Sequence, residues 1–105
     1  MNLLQGKRIV ITGSSRGLGR AFAVAMAKEG ASLVLNGTNA DALRDAEALV
    51  RKVGGKASSV LGSVADSAIC ERLVATCVEH YGGIDVLVNN AGVVRDRTLF
   101  KMTDE

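Results

Sequence analysis

Thr12-Gly13-Ser14-Ser15-Arg16-Gly17-Leu18-Gly19 is the stretch whose reading decides the fold. Just before it, residues 8–12 carry three β-branched aliphatics in a row, Ile9, Val10 and Ile11, short and apolar enough for a buried parallel strand. Just after it, apolar residues recur at Leu18, Ala21, Phe22 and Ala25, a helical period that stops at Gly30, a C′ glycine. Strand, glycine-rich turn and helix in this order make an anion site from backbone alone. Glycines let the main chain come close to a pyrophosphate, and the helix N-terminus offers unpaired N–H groups and a positive dipole end. An ordinary tight turn also uses glycines, but the placement between strand and helix favours a nucleotide-binding turn. The Gly-x-x-x-Gly-x-Gly spacing differs from Gly-x-Gly-x-x-Gly, and no Gly-Lys-Ser/Thr follows, which excludes a P-loop.

Outward from this unit the chain repeats the same alternation. Residues 31–36, Ala-Ser-Leu-Val-Leu-Asn, give a second strand, and Gly37-Thr38-Asn39 a turn with Asn39 as N-cap. A helix with Leu43, Ala46, Val50 and Val53 on one face follows and ends at Gly54-Gly55. Residues 56–61 form a third strand, interrupted by Ser58 and Ser59. Asp66 or Ser67 caps a third helix striped by Ile69, Leu73, Cys77 and Tyr81 and closed by Gly82-Gly83. Residues 84–89 are the fourth strand, and their Val-Leu-Val centre is the most buried-looking run in the chain. A βαβαβαβ order with helical crossovers predicts a parallel sheet covered on both faces. Beyond Gly92 comes a loop, and Thr103-Asp104-Glu105 has the pattern of a cap and acidic first turn of a fourth helix. A helix ending inside its first turn does not repay nucleation, and the fourth strand is left as an apolar edge. The sequence therefore reads as the N-terminal piece of a longer protein.

At 105 residues there is room for one domain and one core. Apolar content of 48%, charged content of 23% and a net charge of +2 describe a globular chain with no call for nucleic acid or a membrane surface. No apolar run approaches the roughly 20 residues of a membrane span, and the cytoplasm is the default location. Cys70 and Cys77 lie about 10 Å apart along one helix, too far to bridge, and are expected as reduced, packed thiols without metal-ligand company.

The choice of cofactor falls to the end of the second strand. Folds that prefer NAD place a carboxylate there for the ribose hydroxyls. This chain has Asn36-Gly37-Thr38 and no acid between Ser32 and Ala40, with Arg16 across the turn. NADP is the expectation, NAD the lesser one: Thr38 donates to the additional phosphate, and Arg16 supplies a charge-assisted contact of about 1.5–3 kcal/mol. On this reading Gly37→Asp reverses the preference. The missing acid also weakens a methyltransferase-type S-adenosylmethionine binder.

Asn89-Asn90-Ala91-Gly92 closes the fourth strand at its carboxyl end, where open α/β sheets bind ligands. With the glycine-rich stretch it resembles the Thr-Gly-x-x-x-Gly-x-Gly and Asn-Asn-Ala-Gly motifs of the short-chain dehydrogenase/reductase family. Residues 91–96 look most like its 3-oxoacyl-[acyl-carrier-protein] reductase branch, a tail that related hydroxysteroid and hydroxyacyl enzymes share. The resemblance implies an α/β Rossmann-type doubly wound parallel sheet, incomplete here with four strands and three helices. Residues 1–105 would be the dinucleotide-binding half of one such domain. It also implies hydride transfer between NAD(P) and a carbonyl or alcohol carbon of a small molecule or acyl thioester, in a homo-oligomer at full length. Residues carried over by it are Thr12, Gly13, Ser14, Ser15, Arg16, Gly17, Leu18 and Gly19 at the pyrophosphate and Thr38 near the adenosine ribose. Ser63 and Val64 would meet the adenine, and Asn90, Ala91 and Gly92 the nicotinamide ribose. Ser63 stands where the family more often has Asp, a loss on the order of 1 kcal/mol at the adenine. The family's catalytic Ser and Tyr-x-x-x-Lys have no counterpart: the one tyrosine, Tyr81, belongs to an apolar stripe and is followed four residues on by Asp85. His80 sits in a last helical turn, where a cation suits the dipole. No catalytic residue and no metal ligand is named, and a non-catalytic dinucleotide-binding module is the alternative.

Overall fold

Each short apolar run becomes a strand and each amphipathic run a helix. In the computed structural model, which describes residues 3–91, the order is β1 (Arg8–Thr12), α1 (Gly17–Lys28), β2 (Ser32–Gly37), α2 (Ala40–Lys52), β3 (Lys56–Leu61), α3 (Ser67–Tyr81) and β4 (Val86–Asn89). The four strands form one parallel sheet in the order β3-β2-β1-β4. Gly92 and the turn expected at residues 103–105 lie outside the described residues.

Alternation along the strands divides the core. Ile9, Ile11, Leu33 and Leu35 face α1 and α2 with Ala23, Ala27, Leu43, Ala46 and Val50. Val10, Val34 and Val60 face α3 with Leu73 and Cys77. The stripes expected on α2 and α3 are the buried ones, Leu43-Ala46-Val50 and Leu73-Cys77. Their expected caps are in place too: Asn39 accepts from the Ala42 N–H at 2.9 Å, and Asp66 from that of Ala68 at 2.9 Å.

Three expectations are overturned. On α1 the buried face is Gly19, Ala23 and Ala27, while Leu18 is 59% and Phe22 38% exposed. Small residues four apart bring the helix backbone close to the sheet, an advantage the larger side chains on the other face cannot offer. The β4 run is not the deepest: Val86 and Leu87 are 41% and 37% exposed, whereas Val10 and Ile11 of β1 are fully buried. A strand's burial follows its place in the sheet, and among the described residues β4 pairs only with β1. Cys77 is packed as expected, but Cys70 is exposed and donates its S–H to the Val64 carbonyl at 3.3 Å.

β4 begins at Val86 rather than residue 84 because Asp85 is committed to β1. Its carboxylate accepts from the Arg8 main-chain N–H at 2.8 Å and from the guanidinium at 2.9 and 3.0 Å, while its own N–H donates to the Arg8 carbonyl at 2.8 Å. The fork-to-fork pair with Arg8 holds the Asp85 carboxyl well below the usual carboxylate range. A carboxyl lowered by folding stabilises above its unfolded pKa and loses that contribution as acid protonates it. Asp85→Asn should thus lower the melting temperature at pH 7, and the gap to the unmodified chain should narrow below about pH 4. Thermal unfolding followed by circular dichroism at pH 7 and pH 3 measures both.

Candidate functional site

The carboxyl ends of β1, β2 and β4 meet at one edge of the sheet, and the chain between Thr12 and Gly17 crosses that edge. Gly13 and Gly17 both adopt left-handed backbone, φ +60° and +61°, which lets the chain reverse twice within five residues. Gly19, the first buried residue of α1, packs so closely that a Cβ would strike the Gly13 carbonyl and the Asn90 amide. The glycine spacing therefore encodes two sharp turns and one close approach.

Asparagine side chains hold this turn. The Gly13 N–H donates to Asn36 Oδ1 at 3.0 Å, and the Gly13 carbonyl accepts from Asn90 Nδ2 at 3.0 Å. Thr12 Oγ1 donates to Asn89 Oδ1 at 3.1 Å and accepts from the Ala91 N–H at 3.1 Å, which binds the end of β4 to the turn. Ser14 is fully buried; its hydroxyl donates to the Ile11 carbonyl at 2.8 Å and accepts from the Asn36 N–H at 2.9 Å.

What remains open is the front of the turn. Arg16, Gly17 and Leu18 are exposed, and α1 starts at Gly17 with Arg16 as an N-cap that makes no side-chain cap bond. The first turn of α1 contains no acid. First-turn N–H groups have no partner inside a helix. α2 and α3 each have a first-turn N–H held by a side-chain cap, Asn39 and Asp66, and α1 has no side-chain cap. This cradle is the shape and polarity that a phosphate group needs.

The other sequence-identified positions fall around it. Thr38 is exposed directly after β2, and Ser63 is exposed after β3, where its hydroxyl accepts from the Ala65 N–H at 3.1 Å. Val64 is half-buried against the α3 cluster, and Ala91 is exposed beside Gly13. Ser15 is buried at 6% exposure and Ser14 at 0%, so both side chains serve the turn's interior. Asn36 carries more of the site than the sequence reading gave it; the available signal was a polar residue closing an otherwise apolar strand. Tyr81 lies at the opposite end of the sheet, where its hydroxyl donates to the Leu33 carbonyl at 2.8 Å and burial raises its pKa. His80 pairs with Ser58 at that same far end. Among the described residues no group of three potential metal ligands gathers, and no helix is long and apolar enough to cross a membrane.

With this geometry, similarity to known proteins is specific. The profile of the family described as short chain dehydrogenase matches residues 7–105. The hydroxyacyl-CoA dehydrogenase ChsB1 of Mycobacterium tuberculosis is 41% identical over 97% of this chain and 33% of its own length. The 3-oxoacyl-[acyl-carrier-protein] reductase FabG of Haemophilus influenzae is 38% identical over 97% of this chain and 41% of its own. Among solved structures, the glucose dehydrogenase of Caenorhabditis elegans superposes with a TM-score of 0.80 at 34% identity, covering 84% of this chain and 38% of that one. The fold is thus the Rossmann-type α/β sheet of these dehydrogenases, and the chain belongs to the short chain dehydrogenase family. It spans about a third to two-fifths of the length of these two relatives.

One sequence expectation needs a different substitution. Gly37 is buried, and a Cβ there would fall 2.6 Å from the Ser15 Cβ and against its hydroxyl. Gly37→Asp therefore introduces a clash together with its carboxylate. It should destabilise the chain by about 1–3 kcal/mol, and the double change Ser15→Gly with Gly37→Asp should recover most of that. Denaturant unfolding of the three variants checks it.

Proposed function

We propose that this chain is the dinucleotide-binding part of an NADP-preferring oxidoreductase acting on a 3-oxoacyl or 3-hydroxyacyl thioester. The observation that carries the reading is the uncapped start of α1, fronted by exposed Arg16 and by the twin glycine reversals. It supports a pyrophosphate lying across residues 13–19, with unpaired N–H groups of the first helical turn as donors. The bound nicotinamide would supply or accept hydride; the chain's own residues bind and orient it. Asn90 and Ala91 stand beside Gly13, and Gly92 follows them, a set fitted to the nicotinamide-side ribose. Ser63 and Val64 fit the adenine end, with one hydroxyl in place of an acid.

NADP is favoured over NAD by the exposed pair Thr38 and Arg16 and by the lack of any acid between Ser32 and Ala40. The substrate class follows the printed activities of the relatives, a hydroxyacyl-CoA dehydrogenase and a 3-oxoacyl-[acyl-carrier-protein] reductase. A cytoplasmic, homo-oligomeric enzyme at full length is part of the same reading. No acid–base pair accompanies the site within the described residues, so these 105 residues should show no NADPH-dependent turnover of 3-oxoacyl thioesters or ketones above a heat-killed control.

Thr38→Asp tests the cofactor directly, because that side chain is exposed and meets no packing constraint comparable to that at Gly37. The unmodified chain should bind NADPH about tenfold to a hundredfold more tightly than NADH. The variant should bind NADH at least as tightly as NADPH, since the new carboxylate repels a phosphate and accepts from ribose hydroxyls. Equal dissociation constants for the two nucleotides in the unmodified chain would overturn the NADP assignment.

A further inference from the structure

Asn36, next to the end of β2 and only 2% exposed, is bonded to the chain leaving β1 on one side and to the end of β3 on the other. Its Oδ1 accepts from the Gly13 N–H at 3.0 Å. Its Nδ2 donates to the Val60 carbonyl at 3.2 Å and to the Gly62 carbonyl at 3.0 Å. Its main chain exchanges two bonds with Ser14: the Ser14 N–H donates to the Asn36 carbonyl at 2.7 Å, and the Asn36 N–H donates to Ser14 Oγ at 2.9 Å. The Gly62 N–H returns to the Gly37 carbonyl at 2.9 Å.

Donor and acceptor chemistry fixes the amide's orientation. Turned over, it would set its oxygen against two carbonyls and its NH₂ against the Gly13 N–H. No other side chain of this size both accepts at one atom and donates twice at the next. Aspartate keeps the acceptor and loses both donors; leucine or alanine takes the side-chain partner from three buried or partly buried main-chain groups.

These contacts span the two halves of the cradle. Gly13 opens the turn proposed for the pyrophosphate, and Gly62 immediately precedes Ser63 and Val64, proposed for the adenine. We infer that Asn36 is a positioning residue: without touching the dinucleotide, it locks the 13–19 turn and the 62–64 loop into one rigid arrangement that fits it. The inference rests on the dinucleotide reading for what is bound, but the lock itself is a property of the nucleotide-free chain.

Amide hydrogen exchange and NADPH titration of the 105-residue chain test it separately. In the unmodified chain the Gly13 and Gly62 amides should exchange at least about a hundredfold more slowly than the exposed turn amide of Gly17. Asn36→Asp should keep the Gly13 amide protected, since its acceptor is retained. Losing both donors to the Val60 and Gly62 carbonyls should loosen the 62–64 loop and so speed exchange of the Gly62 amide, whose own bond runs to the Gly37 carbonyl, while Asn36→Ala should free both. Strand amides such as those of Val10 and Val34 should stay protected in each folded variant. NADPH affinity, measured well below the melting temperature, should fall about tenfold or more in both variants.

Fast exchange at Gly13 or Gly62 in the unmodified chain would overturn the lock, and that measurement needs no variant to fold. So would Gly62 protection unchanged in Asn36→Asp, or affinity within twofold of the unmodified chain in Asn36→Ala. Slow exchange in a chain that binds no NADPH would uphold the lock and instead refute the dinucleotide reading.

Discussion

A single residue, Gly13, with both of its main-chain polar groups held, keeps the site in shape. Gly13 reverses the chain directly after β1, and a reversal at the rim of a sheet would ordinarily leave its N–H and carbonyl to water. Here both are taken by asparagine side chains from the neighbouring strand ends, β2 on one side and β4 on the other. Partly buried hydrogen bonds of this kind each contribute little net stability, but leaving either group without a partner would cost up to about 1–3 kcal/mol. Geometry is thus enforced mainly by the penalty for departing from it. Ser14 and Thr12 extend the same logic, each spending its hydroxyl on backbone or amide partners within the protein.

The close seat of α1 is the second condition. Gly19, Ala23 and Ala27 repeat at four-residue intervals and present almost no side chain to the sheet, so the helix axis comes near β1 and β2. Its first turn is then carried close to the strand ends, with Gly19 against the Gly13 carbonyl and the Asn90 amide. A larger residue at position 19 would meet the Gly13 carbonyl and lift the helix away. Fold and site are here one constraint: the packing that builds the core also delivers the amides.

Much of this could be read from the chain. Short apolar runs between turn residues located β1 to β3 within a residue, the third despite the Ser58-Ser59 interruption. Asn39, Asp66 and the terminal glycines marked the ends of α2 and α3, since a cap acts within its own turn of helix. Glycine spacing marked the cradle for the same reason. What failed was everything that depended on which strand lies beside which. Val86 and Leu87 look like core until β4 is seen to be an edge of the described sheet. The apolar period of α1 chose Leu18 and Phe22, when closeness of approach selects the smallest residues. Asn36 and the tight fit of Gly37 against Ser15 are contacts between residues more than twenty positions apart, and no local pattern encodes them.

The clasp between Arg8 and Asp85 has a kinetic side. It joins residues 77 positions apart, at the base of β1 and β4, and the sheet's central strand gains its second neighbour only when that long loop closes. Loop closure costs entropy that rises slowly with length, about 0.6 kcal/mol for each doubling, while pairing of β1 with β2 spans a far shorter connection. Loop length alone thus favours an assembly that begins with β1, α1 and β2 and finishes when β4 arrives. Until then Asn90 is not yet beside Gly13. The cradle is completed by the last strand to dock, so a chain that has not finished folding lacks the surface proposed for the nucleotide.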